Sequence, residues 1–206
     1  MICKQFPVCA VQLKREDRTR KSKKQSKKSR KGTGTARKEY AYTGFPCGNE
    51  TRMGACVHFL DNRSKPSCTE KGKTYTLDHS ETNLEVLSMH LDGGVNEGKD
   101  GRRCDYVFFV RDHVDRGQGR VILIELKGGG TRDALNQLSE TLDIPEIQAL
   151  GKDFKRFYGR VVNTSSPPRI QNTPAYMEVK EKLHRLGGNL KTGEWDFVEG
   201  YGELDK

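Results

Sequence analysis

The chain has 206 residues, of which 33% are hydrophobic and 32% are charged, with a net charge of +9 and a mean hydropathy of −0.82. This length accommodates one domain with an appendage and excludes two full catalytic domains. No apolar run approaches the roughly 18 residues that cross a bilayer, and residues 1–9 lack a secretory signal. We therefore expect a soluble intracellular protein, cytoplasmic or, in a eukaryotic host, nuclear.

The N-terminal segment concentrates the positive charge. Residues 14–38 contain thirteen Lys or Arg and two acids, a local charge of +11, whereas residues 39–206 carry −3. A segment with so little apolar surface to bury is predicted to be disordered, which gives an arm over residues 1–39. This arm is either a solubilising linker or a phosphate-binding tail that contacts nucleic acid without reading its sequence. The cations assigned to nucleic-acid binding are Lys21, Lys23, Lys24, Lys27, Lys28, Arg30 and Lys31.

The cysteines allow two interpretations. Without a secretory signal, a disulfide framework is not expected for the six of them. Cys47, Cys56, His58 and Cys68 offer thiolate and imidazole ligands for zinc, but their spacing lacks the short CxxC knuckle of recognisable zinc sites. Buried, reduced thiols are the alternative.

Three apolar segments predict successive strands. Leu84–Leu91 leads into a turn at Asp92-Gly93-Gly94. Tyr106–Val110 and Val121–Leu126 flank a polar, glycine-containing loop, which predicts an antiparallel hairpin. Because Val121–Leu126 is almost continuously apolar, we expect this strand to be central and covered on both faces.

The hydrophobic period changes after the glycines at 128–130. Thr131 is predicted to cap a helix that stops before Pro145, and a strand follows at Phe157–Val162. Val179 and Leu183 mark a second amphipathic helix. The order of elements predicts a mixed α/β or α+β core within a domain of residues 40–190. We expect residues 191–206 to form a tail, with Trp195 packed against the core.

Charged side chains flank the hairpin at one end. Glu125 and Lys127 lie two residues apart, so on a strand they point to the same face. Hairpin pairing would bring Asp105 beside them. Carboxylates are the ligands that Mg²⁺ prefers, and an ammonium can orient a water and stabilise the charge of a phosphoryl transition state. The sequence therefore predicts a site for phosphodiester hydrolysis at this end of the sheet.

The stretch RRCDYVFFV…VILIELKGGGTRDALNQLSETL resembles the PD-(D/E)XK nuclease superfamily, in particular small members with a CDY…ELKG…A..QL pattern. The resemblance covers roughly residues 84–188 and implies a restriction-endonuclease-like αβββαβ core with a central mixed sheet and a Mg²⁺-dependent site. It implies metal ligation by Asp105 and Glu125 and catalytic roles for Lys127 and Gln137. Many members carry a further acid before the first strand. Glu70 and Glu81 are the candidates here, and we assign that role to Glu81.

Other polar groups are weaker candidates for a functional site. Glu-x-Lys also occurs at Glu97–Lys99 and Glu178–Lys180, but neither follows a buried type of strand. Asp112, His113 and Asp115 resemble metal ligands, yet their glycine-containing surroundings predict a solvated loop.

These features predict a nuclease, a hydrolase that depends on Mg²⁺ or Mn²⁺ and cuts within nucleic acid, with DNA favoured over RNA. Nucleases that cut both strands often act as pairs, which leaves a homodimer open. Two alternatives remain: a catalytically inactive nucleic-acid-binding protein with a nuclease-like fold, and a basic scaffold protein.

Overall fold

A computed structural model describes residues 58–61, 63–82, 84–92, 102–112, 119–149, 154–164 and 170–206. The predicted basic arm and all its assigned cations lie outside these ranges. So do Cys47 and Cys56 of the zinc hypothesis, and His113 and Asp115 of the predicted loop. These hypotheses remain predictions.

The described residues form nine strands and three α-helices. In chain order they are β1 (His58–Asp61), β2 (Ser67–Glu70), β3 (Lys73–Asp78), β4 (Leu84–His90), β5 (Tyr106–Asp112), β6 (Gly119–Leu126), α1 (Thr131–Leu142), α2 (Pro145–Ala149), β7 (Phe154–Asn163), α3 (Pro174–Arg185), β8 (Leu190–Glu194) and β9 (Asp196–Gly200). Short 3-10 helices occur at Ile170–Asn172 and Tyr201–Glu203. None of the helices in these ranges is long and apolar enough to span a membrane.

The larger sheet is mixed. Its strand order is β1-β4-β5-β6-β7-β8, in which β4, β5 and β6 pair antiparallel, as the predicted hairpin requires. β6 pairs parallel with β7, and β7 with β8, and in each case a helix lies between the two strands in the chain. The predicted α+β class is therefore confirmed.

A second, smaller sheet packs against the face of the larger sheet that lies opposite the helices. It has the order β2-β3-β9, with β3 and β9 parallel. Lys73, Tyr75 and Leu77 are buried along β3, whereas the residues between them are partly exposed, which is the alternation expected of a half-buried strand.

The larger sheet separates two hydrophobic cores. Val121 and Leu123 of β6 pack with α1 and α3, whereas Ile122 and Ile124 pack with Tyr75 beneath the smaller sheet. All six residues of Val121–Leu126 are buried. The prediction that this strand is central and covered on both faces is confirmed.

The prediction of a C-terminal tail at residues 191–206 is wrong. These residues provide most of β8 and all of β9, one strand for each sheet, and Leu204 is fully buried. The mixture of Lys, Thr, Gly and Glu in this segment conceals its strands, because few residues of β8 and β9 are buried.

Two local predictions are also wrong. Thr131 does not cap α1: Gly130 occupies the cap position in a left-handed conformation, φ 75°, and provides no side-chain hydrogen bond. Trp195 does not pack against the core but is 52% exposed, at the turn between β8 and β9. Its positive φ of 43° sets the direction of that turn.

The described residues before β4, 58–61 and 63–82, form the strands β1, β2 and β3 and no helix, unlike the leading α of the αβββαβ pattern. An acidic group from these residues that approaches the predicted site therefore comes from a strand or a turn.

Candidate active site

The antiparallel register of β5 and β6 brings Asp105 to the end of β6. Tyr106 pairs with Ile124, so Asp105, immediately before β5, lies beside Glu125. The backbone N–H of Leu126 donates to Asp105 Oδ2 at 2.7 Å. In the other direction, a hydrogen bond from the Asp105 backbone to the Glu125 carboxyl group offsets part of the rise in pKa that burial of Glu125 causes. The two acids therefore occupy neighbouring positions at one edge of the sheet.

Both carboxyl groups are buried. Glu125 is 1% exposed and Asp105 is 7% exposed. Burial and, to a smaller extent, the charge of Asp105 raise the pKa of Glu125 to about 9 against the opposing effect of Lys127. Burial likewise raises the pKa of Asp105 to about 7. Neither acid can become charged without a substantial cost unless a cation compensates it.

Glu125 has an acceptor that the protein does not use. Its Oε2 atom is buried and has no hydrogen-bond partner. Its Oε1 atom lies 3.8 Å from Lys127 Nζ, as expected for two side chains on one face of a strand. A buried carboxylate oxygen without a donor is an unusual and costly feature, and it is suited to a ligand that brings positive charge.

A short hydrogen-bonded chain fixes Lys127 against α1. Lys127 Nζ donates to Gln137 Oε1 at 2.8 Å, and Gln137 Nε2 donates to the backbone carbonyl of Arg103 at 2.8 Å. Lys127 keeps 31% of its side chain exposed. Its ammonium can therefore reach a solvent-borne ligand while Gln137 restricts its direction.

Helix α1 is held against the start of β5 by a buried threonine. The Thr141 hydroxyl accepts from the Cys104 backbone N–H at 2.9 Å and donates to the Gln137 carbonyl at 2.7 Å. Thr141 and Cys104 are both fully buried. This link joins the segment that carries Asp105 to the helix that carries Gln137.

A third acid approaches from the smaller sheet. Glu70 ends β2, and its hydrogen bonding and negative charge further raise the pKa of Asp105, which burial has already raised. Glu81 instead lies exposed in the turn after β3. The structure thus brings Glu70 to the site, whereas the sequence predicted Glu81 for this role. Glu70 lies at the end of a strand, so no helical pattern in the sequence could mark it.

Two lysines, Lys71 and Lys73, lie next to Glu70 at the β2–β3 turn. Lys71 and Gly72 have positive φ values of 47° and 76°, as in the tight turns favoured by hairpins. Lys71 forms a 2.9 Å ion pair with Glu70. Lys73, 2% exposed, donates to the Lys71 carbonyl at 2.9 Å and has no carboxylate partner among the described residues.

Lys73 also lies close to the turn that follows β6. A Cβ atom added to Gly128 would be 3.6 Å from Lys73 Nζ. Lys73 was not among the residues predicted from the sequence. The alternation of Lys73, Tyr75 and Leu77 could have indicated that the lysine lies on the buried face of a strand.

The acids present fit a divalent cation with few protein ligands. The described residues contain no group of three or more His, Cys, Asp or Glu side chains arranged to hold a metal ion. Mg²⁺, however, is commonly bound by one or two carboxylates, and takes its remaining ligands from water and substrate phosphates. Asp105 and Glu125, with the unpartnered Oε2 atom, meet that requirement.

Comparisons of the chain with protein-family models, with curated proteins and with solved structures found no match. The interpretation of the site therefore depends on its own geometry and chemistry.

Proposed function

We propose that this protein is a metal-dependent nuclease that hydrolyses phosphodiester bonds in nucleic acid, with DNA favoured over RNA. The observation that carries the proposal is the buried pair Asp105 and Glu125 beside Lys127, in which one Glu125 oxygen has no partner. Burial of these acids lowers the free energy of unfolding at neutral pH. Such an arrangement is expected at a site where a bound ligand restores that stability.

The resemblance to the PD-(D/E)XK superfamily agrees with this arrangement. An antiparallel hairpin leads from Asp105 to Glu125 and Lys127, and α1 then supplies Gln137 beside the lysine. We include in the proposal a restriction-endonuclease-like core made of β4, β5, β6, α1 and β7. The described residues before β4 add the strands β1, β2 and β3 to this core.

Asp105 and Glu125 would hold Mg²⁺ or Mn²⁺. Glu70, at the end of β2, would influence the pKa of Asp105 through its negative charge and hydrogen bonding. A divalent cation bound there would lower the pKa of its water and neutralise charge on the phosphate. Lys127 orients the attacking water and stabilises the additional negative charge as the phosphodiester is cleaved. Gln137 is a positioning residue that maintains the direction of the Lys127 ammonium.

The decisive experiment compares Lys127→Ala with Lys180→Ala in plasmid nicking with Mg²⁺ or Mn²⁺. Lys180 belongs to a second Glu-x-Lys sequence but is exposed on α3, so it is a matched control. We expect Lys127→Ala to lower the cleavage rate by at least a factor of about 100, the usual contribution of a group that stabilises transition-state charge. Lys180→Ala should cleave as the wild type does, and both variants should bind DNA nearly as the wild type does.

The outcomes separate the candidate functions. Cleavage by Lys127→Ala at the wild-type rate would contradict the assignment of the site. A wild-type protein that binds DNA without cutting it, and shows no divalent-ion binding that depends on Asp105 in calorimetry, would be an inactive nucleic-acid-binding protein. A wild-type protein that neither cuts nor binds nucleic acid would favour the scaffold alternative.

A further inference from the structure

Asn163, the last residue of β7, is a buried amide without partners. It is 3% exposed, and neither its Oδ1 nor its Nδ2 atom has a hydrogen-bond partner. Buried amides are normally hydrogen-bonded, because burial without a partner costs free energy. Asparagine at this position therefore needs an explanation other than stability.

The strand register places Asn163 beside Lys127. β6 and β7 are parallel, with Glu125 paired to Val161 and Leu126 to Val162, and the Lys127 N–H donates to the Val162 carbonyl at 2.8 Å. By the same register, Asn163 lies next to Lys127 on the adjacent strand. The next residue, Thr164, donates to the Gly128 carbonyl at 3.0 Å, which holds the end of β7 against the turn after Lys127.

The alternation of side chains places Asn163 on the face that carries Glu125 and Lys127. Val161, two residues earlier on β7, packs in the core beneath the helices, as does Leu123, two residues before Glu125. Residues 123, 125 and 127 of β6 and residues 161 and 163 of β7 thus share one face. At the carboxyl ends of these parallel strands, two unpartnered polar groups occur, on Glu125 and Asn163.

We propose that Asn163 is an additional substrate-contacting residue of this site, whose amide N–H groups donate to a nonbridging oxygen of the scissile phosphate. The inference rests on the proposed nuclease function. A neutral donor is suited to this position because it binds a phosphate oxygen without adding negative charge near Glu125. The carboxyl ends of adjacent parallel strands are also a usual place for ligand binding in α/β sheets.

The test uses Asn163→Leu in the full-length protein, because leucine has a similar volume and cannot form hydrogen bonds. The matched control is Asn172→Leu, which makes the same change at an exposed position in the 3-10 helix Ile170–Asn172. For both variants and the wild type, we would measure kcat and KM on a DNA duplex with Mg²⁺, and the melting temperature in EDTA.

For Asn163→Leu we expect kcat to fall by at least tenfold, KM to change by less than threefold, and the melting temperature in EDTA to be equal to or above that of the wild type. Asn172→Leu should retain wild-type kinetics. Wild-type kcat in Asn163→Leu would overturn the inference. A clear fall in its melting temperature would also overturn it, because the amide would then have a structural role.

If Asn163→Leu does not fold, Asn163→Ala is measured in the same way, and wild-type kcat in that variant would equally overturn the inference. The nuclease proposal and the proposed role of Asn163 can be refuted by different results. If the wild-type protein does not cleave, the nuclease proposal fails. If the wild type cleaves and Asn163→Leu cleaves equally well, only the role of Asn163 fails.

Discussion

At the scale of single residues, the main feature is a conflict between stability and function at Glu125. Its carboxyl group is almost completely buried, one oxygen has no donor, and its pKa is raised to about 9 because burial opposes charging. The nearby Lys127 compensates only part of that cost. In the absence of metal, the folded protein therefore binds protons more tightly at this residue than the unfolded chain does.

This conflict predicts how the stability of the metal-free protein depends on pH. Asp105 and Glu125 both have raised pKa values in the folded state, about 7 and about 9. Above pH 5, the folded state thus binds more protons than the unfolded state, up to about pH 7 at Asp105 and about pH 9 at Glu125. Within its own range each group makes stability fall by up to about 1.4 kcal/mol per pH unit as pH rises. Below about pH 3 both states are protonated at these groups, and their contribution levels off.

Glu125→Gln tests this explanation. At pH 8 in EDTA, the neutral side chain should raise the melting temperature by about 2–4 °C or more, corresponding to at least about 1 kcal/mol. At pH 4, where Glu125 is protonated in the folded state and mostly protonated in the unfolded chain, the two proteins should melt nearly alike. Addition of Mg²⁺ or Mn²⁺ should stabilise the wild type and not the variant. A variant that is less stable than the wild type at pH 8 would contradict this account of the site.

At the scale of elements, the site depends on how α1 is placed against the end of the hairpin. Thr141 forms this link by accepting from the Cys104 N–H and donating to the Gln137 carbonyl. The helix lies where the sequence predicted it, but Gly130 and not the predicted Thr131 occupies its cap position. Residue types identify a helix boundary, but the backbone conformation at 128–130 depends on the neighbouring strands.

Thr141→Val measures the strength of this link. Valine has the same shape but leaves the buried Cys104 N–H without an acceptor, which should reduce the free energy of unfolding by about 1–3 kcal/mol. Urea denaturation provides the measurement. Thr131→Val is the control, and because Thr131 makes no capping bond we expect a change within about 0.5 kcal/mol. Equal losses in both variants would show that the loss reflects helix propensity instead of the link.

At the scale of the whole molecule, the two sheets are joined by a buried charged network. Arg160, fully buried on β7, donates from Nε and Nη2 to the Glu199 oxygens at 2.6 Å and 2.9 Å. Tyr75 and Lys191 also donate to Glu199, at 3.0 Å and 2.8 Å. The residues predicted to form a tail therefore provide the anion at the centre of the molecule.

Glu199→Ala should strongly destabilise the protein, because it leaves the Arg160 guanidinium buried without a counter-charge. Loss of one partner of such a pair costs about 3–5 kcal/mol. The control is Glu181→Ala, which removes an exposed ion pair with Arg185 and should change stability by about 0.5 kcal/mol or less. The free energy of unfolding in urea is the measurement. A Glu199→Ala protein as stable as the control would contradict the central role of this network.

The sequence predicted the strands of the hairpin, both long helices and the meeting of Asp105, Glu125 and Lys127, because each depends on local periodicity and the register of adjacent strands. It did not predict β2, β3 or β9, whose stability comes from packing against the larger sheet. Glu70 and Asn163 likewise depend on pairing between distant parts of the chain. The side-chain contacts of such residues cannot be derived from local pattern.

The parallel pairing of β3 with β9 has a consequence for biosynthesis. Tyr75 and Glu199 are 124 positions apart, and Arg160 obtains its counter-charge only when Glu199 arrives. On the ribosome, the hairpin and α1 can assemble much earlier than this closure. The nascent chain would thus hold Asp105 and Glu125 in place before the two sheets pack together. We therefore expect resistance to proteases to appear only after residue 199 has left the ribosome.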